Sequence, residues 1–220
     1  MKLIDELRAE HDLIEQVVGS LRTFVAERGA GGGDPLDGQG FVDFFRLFTG
    51  DWHHLREEQV LLPALTRELA LPADRGPVAE ILRQHGAMAA TLSALGPLLT
   101  AAQASDLERE EATRLTHAYG DALLKHIDAE NSVLFPESEE RLVRSGVFDL
   151  AARQANEREV RARAIGERLL QRYPPTENPA LIRGDGCVMC PAYGDTCRGL
   201  EREWWSDEEW EEFGQRGGFE

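Results

Sequence analysis

The sequence predicts an all-α protein: an up-down-up-down four-helix bundle, an additional C-terminal helix, and a small appendage containing Cys and Trp. Three observations carry this. Apolar residues step by alternating three and four in two stretches, as the buried stripe of a helix does. Period-two runs of β-branched residues, the mark of strands, are absent. Two further stretches share one string of His, Glu and Pro at helical spacings.

The first helix is marked by Ile4, Leu7, His11, Ile14, Val18 and Leu21, and a glycine-rich break from Gly29 to Gly40, with Pro35, ends it. The second reads from Phe41 to about Ala70. Leu71 to Pro77 precedes the third, whose stripe is Val78, Ile81, His85, Met88, Leu92, Leu95 and Leu99. The fourth runs from Asp106 to about Glu137, with Ser105 as its N-cap. Helices of roughly 25–30 residues with short connections pack as an antiparallel bundle. A fifth, Val147 to Arg172, is rich in Arg and Glu and reads as a solvated face. Its apolar residues Phe148, Leu150, Val160, Ile165 and Leu169 form a thin stripe, and Pro174-Pro175 stops it. From Thr176 the composition shifts to Gly, Pro and Asp, three cysteines, and then Trp204, Trp205 and Trp210 among acids. The organisation is therefore a bundle over 1–140, an additional helix over 141–175 and an appendage over 176–220.

Charge narrows the function classes. With 24 Lys+Arg against 40 Asp+Glu in 220 residues, the net charge is −16. Nucleic acid and anionic lipid select for Lys and Arg, so neither is expected as a partner. Charges interrupt every apolar stretch before the ~18 residues of a spanning helix, and Met1–Glu10 lacks an apolar signal core. Three cysteines, all beyond residue 186, make no secreted disulfide framework. A soluble cytoplasmic protein is the expectation.

The chemistry lies in the repeat. His53-His54-Leu55-Arg56-Glu57-Glu58-Gln59-Val60-Leu61-Leu62-Pro63 in the second helix parallels His126-Ile127-Asp128-Ala129-Glu130-Asn131-Ser132-Val133-Leu134-Phe135-Pro136 in the fourth. Each has Glu four residues after His, Val-Leu at +7 and +8, and Pro at +10. A spacing of four sets imidazole and carboxylate one turn apart on one face, where both can meet a metal. Such donors suit iron, manganese or zinc. His11 and His85 add one core imidazole each from the first and third helices. Four imidazoles and two carboxylates exceed one tetrahedral zinc shell and suit two adjacent metals bridged by the carboxylates.

In these elements the chain resembles the hemerythrin-like (HHE cation-binding) proteins, marked by a histidine on helices one and three and H-x-x-x-E on helices two and four, often ending in Leu-Phe-Pro. Here the marks are Glu10-His11, His53 with Glu57, His85, and His126 with Glu130, over about residues 1–137. The resemblance implies a bundle around a non-heme di-iron centre (manganese as alternative) with a bridging oxo or hydroxo group. The implied ligands are His11, His53, Glu57, His85, His126 and Glu130. Oxygen-carrying members have a second histidine one turn after the helix-three ligand, and this chain has Ala89 there. The site is then one imidazole short, which favours peroxide turnover over reversible O2 storage.

His53 and His54 both have Glu at +4, so spacing alone does not separate them. The proline ten residues on and Asn131 at the second Glu position favour His53 and Glu57, leaving His54 and Glu58 as supporting or surface groups. His117, nine residues before His126, falls on the outer face at ~100° per residue. Tyr119 lies two turns before His126; it reads first as core packing, with filling the vacancy or hydrogen-bonding bound oxygen as the alternative. Met88 reads as core filler. Cys187, Cys190 and Cys197 form a candidate second metal (zinc) or redox cluster, against a local disulfide or free thiols.

The leading function is a di-iron protein that binds or reacts with O2, NO or peroxide. The alternative is a non-catalytic iron- or redox-sensing protein whose C-terminal segment, docked on the bundle or on a protein partner or second copy, signals the metal state. A zinc hydrolase is weaker, because no general base stands outside the ligand set.

Overall fold

The computed structural model describes residues 1–176, and every regular element among them is helical. Helix α1 is Lys2–Gly29. The chain turns through Gly31 and Gly33, both at positive φ, which a glycine adopts without a Cβ clash. Helix α2 covers 35–69 in four consecutive segments: Pro35–Asp43, the π-helical Phe44–His54 and Glu57–Leu61, and Leu62–Leu69. Helix α3 is Gly76–Thr100. Helix α4 covers 106–144 as Asp106–Ala129, the π-helical Glu130–Leu134, and Phe135–Arg144. Helix α5 is Glu157–Arg172. None of these helices is long and apolar enough to cross a membrane.

Local chemistry explains most boundaries. Asp34 caps α2 by accepting from Leu36 N at 2.9 Å, with Pro35 beginning the first turn. Ser105 caps α4 as expected, in a capping box with Glu108. Ala70 ends α2 in the left-handed conformation. The glycine-rich stretch read as a break out to Gly40 is not one: helix resumes at Pro35, and Gly38 and Gly40 are contact residues inside it. A Cβ on Gly38 would lie 2.1 Å from the carbonyl oxygen of Leu99, so α2 and α3 touch backbone to backbone there.

Pro63 and Pro136 each follow a π-helical turn. The N–H of Leu62 bonds back to the carbonyl of Glu57, and that of Phe135 to the carbonyl of Glu130. A proline ring crowds the carbonyl four residues before it, and the wider turn makes room for it. The repeated Pro is thus the sequence mark of a repeated π turn that begins at Glu57 and Glu130.

Two apolar clusters fill the interior. One holds Ile14, Val18, Leu21, Phe24, Phe41, Phe44, Phe45, Leu92, Leu95 and Leu123. The other holds Leu3, Ile4, Leu7, Leu61, Leu65, Val78, Ile81, Val133, Leu134 and Phe135. Along α1 and α3 the chain passes from the second cluster to the first, and along α2 and α4 in the opposite order. In all four helices the His and Glu residues of the repeat lie between the clusters.

The fifth helix starts later than the sequence suggests. Val147 to Ala155 is non-helical, and the helix begins where Asn156 and Glu159 form a capping box. Phe148 and Val160, assigned to its apolar stripe, are exposed, whereas Ala162, Gly166 and Leu169 are buried against α1 and α2. Small residues let the helix approach closely: a Cβ on Gly166 would lie 2.3 Å from the Phe44 ring. Tyr173 closes the contact, donating its hydroxyl to Asp37 Oδ2 at 2.8 Å and packing edge-on against Phe24. The cysteine cluster and the Trp-containing segment lie outside the described residues.

Gly38→Ala is expected to destabilise the fold by about 1–3 kcal/mol through overpacking against the α3 backbone. Urea unfolding reads this, and a wild-type midpoint would contradict the close approach.

Candidate metal centre

Seven side chains from four helices converge between the apolar clusters: His11 from α1, His53, His54 and Glu57 from α2, His85 from α3, and His126 and Glu130 from α4. All are buried, with His11, Glu57 and Glu130 at 0% exposure. They form two groups, His11, His53, Glu57 and Glu130 in one and His54, Glu57, His85 and His126 in the other, with Glu57 common to both. Within each group the potential ligand atoms lie within 4.8 Å of one another. A cation with bonds of about 2.0–2.2 Å reaches across such a group after small side-chain rotations.

Glu57 faces both groups. Its Oε1 is 3.4 Å from His53 Nε2 and its Oε2 is 3.4 Å from His85 Nε2. Glu130 Oε2 lies 3.3 Å from the Nε2 atoms of both His11 and His126. Among the described residues no proton donor satisfies these carboxylates: all four oxygens are buried without a hydrogen-bond partner. The imidazoles compound the deficit. His11 and His53 bring their Nε2 atoms to 2.9 Å, and His85 and His126 to 3.1 Å.

The Nδ1 atoms explain why those contacts cannot be ordinary hydrogen bonds. His53 donates from Nδ1 to Glu10 at 3.0 Å, and His85 to Glu58 at 2.8 Å. His126 donates to Gln84 Oε1 at 2.8 Å, and His11 to Asn131 Oδ1 at 2.9 Å. A neutral ring has one N–H, so each Nε2 is left with a lone pair aimed inward. Two lone pairs facing each other, beside unpartnered carboxylate oxygens, fit a cation between them. The four supports also close a ring around the bundle: α1 holds the imidazole of α2, α2 that of α3, α3 that of α4, and α4 that of α1. Each supporting residue is the sequence neighbour of a group member: Glu10 of His11, Glu58 of Glu57, Gln84 of His85, Asn131 of Glu130. Glu10 is itself held by Trp52 Nε1 at 2.7 Å and by the buried guanidinium of Arg56.

His54 corrects the sequence reading, which set it among supporting or surface groups. It is buried, its ring stacks on His85 at 3.9 Å between centroids, and its Nε2 is unpartnered. The register argument compared the two repeats through Pro63 and Asn131 and chose one histidine, but His53 and His54 end a π-helical segment, and both side chains are buried. Five imidazoles therefore converge here, and the fifth comes from α2 rather than from position 89 of α3. Ala89 lines a cleft of about 670 Å³ that reaches His54 and His85 and is also lined by Met88 and Tyr119. Tyr119 is buried edge-on to Phe45 at 5.1 Å, and burial pushes its hydroxyl pKa up. His117 is exposed, as its angular position implied.

Burial, followed by the neighbouring His11, pushes His53 well below the ordinary imidazole value; burial and His85 do the same to His54. Burial brings His126 down to about 4, although Glu130 opposes it. Burial and repulsion from Glu130 raise Glu57 well above the carboxylate range. Burial acts to raise Glu130 too, but His126 and His11 outweigh it and draw it down to about 2. Neutral His53, His54 and His126, with Glu57 protonated and Glu130 ionised, thus belong to the metal-free state.

This state makes metal-free stability pH-dependent in two opposing ways. The three depressed imidazoles bind protons more readily when unfolded, so stability falls as pH drops below ~6.5, by up to ~1.4 kcal/mol per unit for each ring. Glu57 acts oppositely: its contribution is full below its unfolded value of ~4.3 and is lost as pH rises through the folded value. Urea unfolding of metal-free wild type and Glu57→Gln should show the variant losing only the second slope. A pH-independent difference between them would contradict the raised Glu57.

Comparison with curated proteins and with solved structures gives no match. The family model for the hemerythrin HHE cation-binding domain matches residues 2–138. That span contains all seven converging side chains and their four supports, and the chain belongs to the hemerythrin HHE cation-binding domain family.

Proposed function

We propose that the protein is a non-heme di-iron protein that binds or reacts with a small oxidant, O2, NO or peroxide, inside the bundle. The observation that carries this reading is the shared Glu57, whose two unpartnered oxygens face separate imidazole groups. One carboxylate serving two groups calls for two cations side by side. Nitrogen and oxygen donors without thiolate favour iron or manganese, and the donor count exceeds a single zinc shell.

Two ferrous ions held there would supply the two electrons that reduce a peroxide or convert O2 to the peroxide level. The residues set the conditions for that chemistry. Glu10, Glu58, Gln84 and Asn131 hold four rings in one tautomer, so no proton need move for Nε2 to act as a donor. The groups are unequal in kind, with two imidazoles and two carboxylates in the first and three imidazoles and one carboxylate in the second. Phe135 stacks on His11 at 5.4 Å and the apolar clusters cover both ends, which leaves the cleft beside His54 and His85 as a way in for small molecules. Arg56, buried beside Glu10, supplies a fixed positive charge near His53.

Stopped-flow mixing of the ferrous protein with O2 or H2O2 should develop a charge-transfer band within seconds. A featureless trace from fully loaded protein would overturn the oxidant reading.

A further inference from the structure

Four of the five imidazoles are oriented by a hydrogen bond at Nδ1, and the fifth is not. His54 forms no hydrogen bond with any described residue; its Nε2 is buried without a partner, and its ring is held by the stack on His85. The second nitrogen of a metal-binding imidazole normally carries the contact that fixes it, and loss of that contact weakens binding about 10–100-fold. His54 differs in location as well. The rings of His11 and His53 are enclosed, at 0% and 1% exposure, whereas His54 lies in the wall of the 670 Å³ cleft. Phe45, Met88 and Leu92 line that cleft together with the polar Gln39, Arg46 and Asp51, and Ala89 contributes only a methyl group to its wall.

We propose that His54 is a displaceable imidazole of the second group, and that the cleft admits the lone-pair donor that takes its place. The inference rests on the two-metal reading above. In the exchange one metal–nitrogen bond breaks and one metal–donor bond forms, with no transfer of electrons; the released His54 turns toward the cleft it already lines. The apolar part of the wall, Phe45, Met88 and Leu92, favours a neutral or singly charged donor, because such surroundings penalise higher charge. At about 670 Å³ the cleft falls within the ~300–1,000 Å³ of small-molecule sites, so the donor can carry an organic body. Azide and free imidazole are suitable probes.

Both probes are titrated into metal-loaded wild type, His54→Ala and His53→Ala, with metal content measured and imidazole ligands counted by X-ray absorption. His54→Ala should keep two metals, held in the second group by His85, His126 and Glu57. It should bind azide about tenfold more tightly than wild type, since no ring need leave. Free imidazole should restore its wild-type ligand count. Wild type should lose one imidazole on azide binding, and the enclosed position in His53→Ala should take up none. Equal azide affinity in wild type and His54→Ala, with an unchanged imidazole count, would overturn the proposal. Loss of a metal from His54→Ala would also overturn it, making His54 an anchor. Fewer than two metals in the wild type would instead overturn the two-metal reading and, with it, the proposal.

Discussion

Four carboxylate oxygens, from Glu57 and Glu130, are buried at the middle of this bundle with no proton donor among the described residues to meet them. Leaving a buried polar atom unpaired costs more than a hydrogen bond returns, and a buried charge costs more still. The folded chain tolerates the arrangement because apolar clusters above and below supply the stability and because the four helices hold each other's histidines. The metal-free protein answers the charge problem by keeping a proton on Glu57 and leaving His53, His54 and His126 neutral. A divalent cation in each group would remove the deficit at its source.

The ring of supports gives the centre its precision. Each helix presents a ligand and, at the adjacent position, the residue that orients a ligand on the next helix. Moving one helix would break two such contacts, so the bundle and the site are fixed by the same residues. Ring contacts with His85 and His126 hold His54, outside that ring of hydrogen bonds and beside the cleft. The π-helical segment that turns His54 inward also ends at the centre, so the irregular backbone of α2 is tied to the extra imidazole it delivers.

Much of this was legible in the sequence. His11 and His85 stand on apolar stripes of α-helical period, and the doubled His-x-x-x-Glu string places His53, Glu57, His126 and Glu130 on inward faces. His54 meets the same spacing through Glu58 and was set aside by comparison with the second repeat, which does not show the π-helical segment that ends at both histidines. Pro63 and Pro136 were the available signal of wider turns. Gly38 and Gly40 read as helix breakers, since sequence does not show the neighbouring backbone that makes a small residue necessary inside the helix. Gln84 and Asn131 carry no motif of their own; only their adjacency to His85 and Glu130 marks them. The late start of α5 reflects a capping box at Asn156 and Glu159 overriding a weak apolar stripe.

The central claim is that one bundle interior holds two cations that share Glu57. The most direct measurement is an anomalous-difference map from crystals of the protein as purified, with no metal added. The account requires two peaks about 3.5–4 Å apart, one among His11, His53 and Glu130 and the other among His54, His85 and His126, with Glu57 between them. A single peak, or none within the bundle, would contradict it.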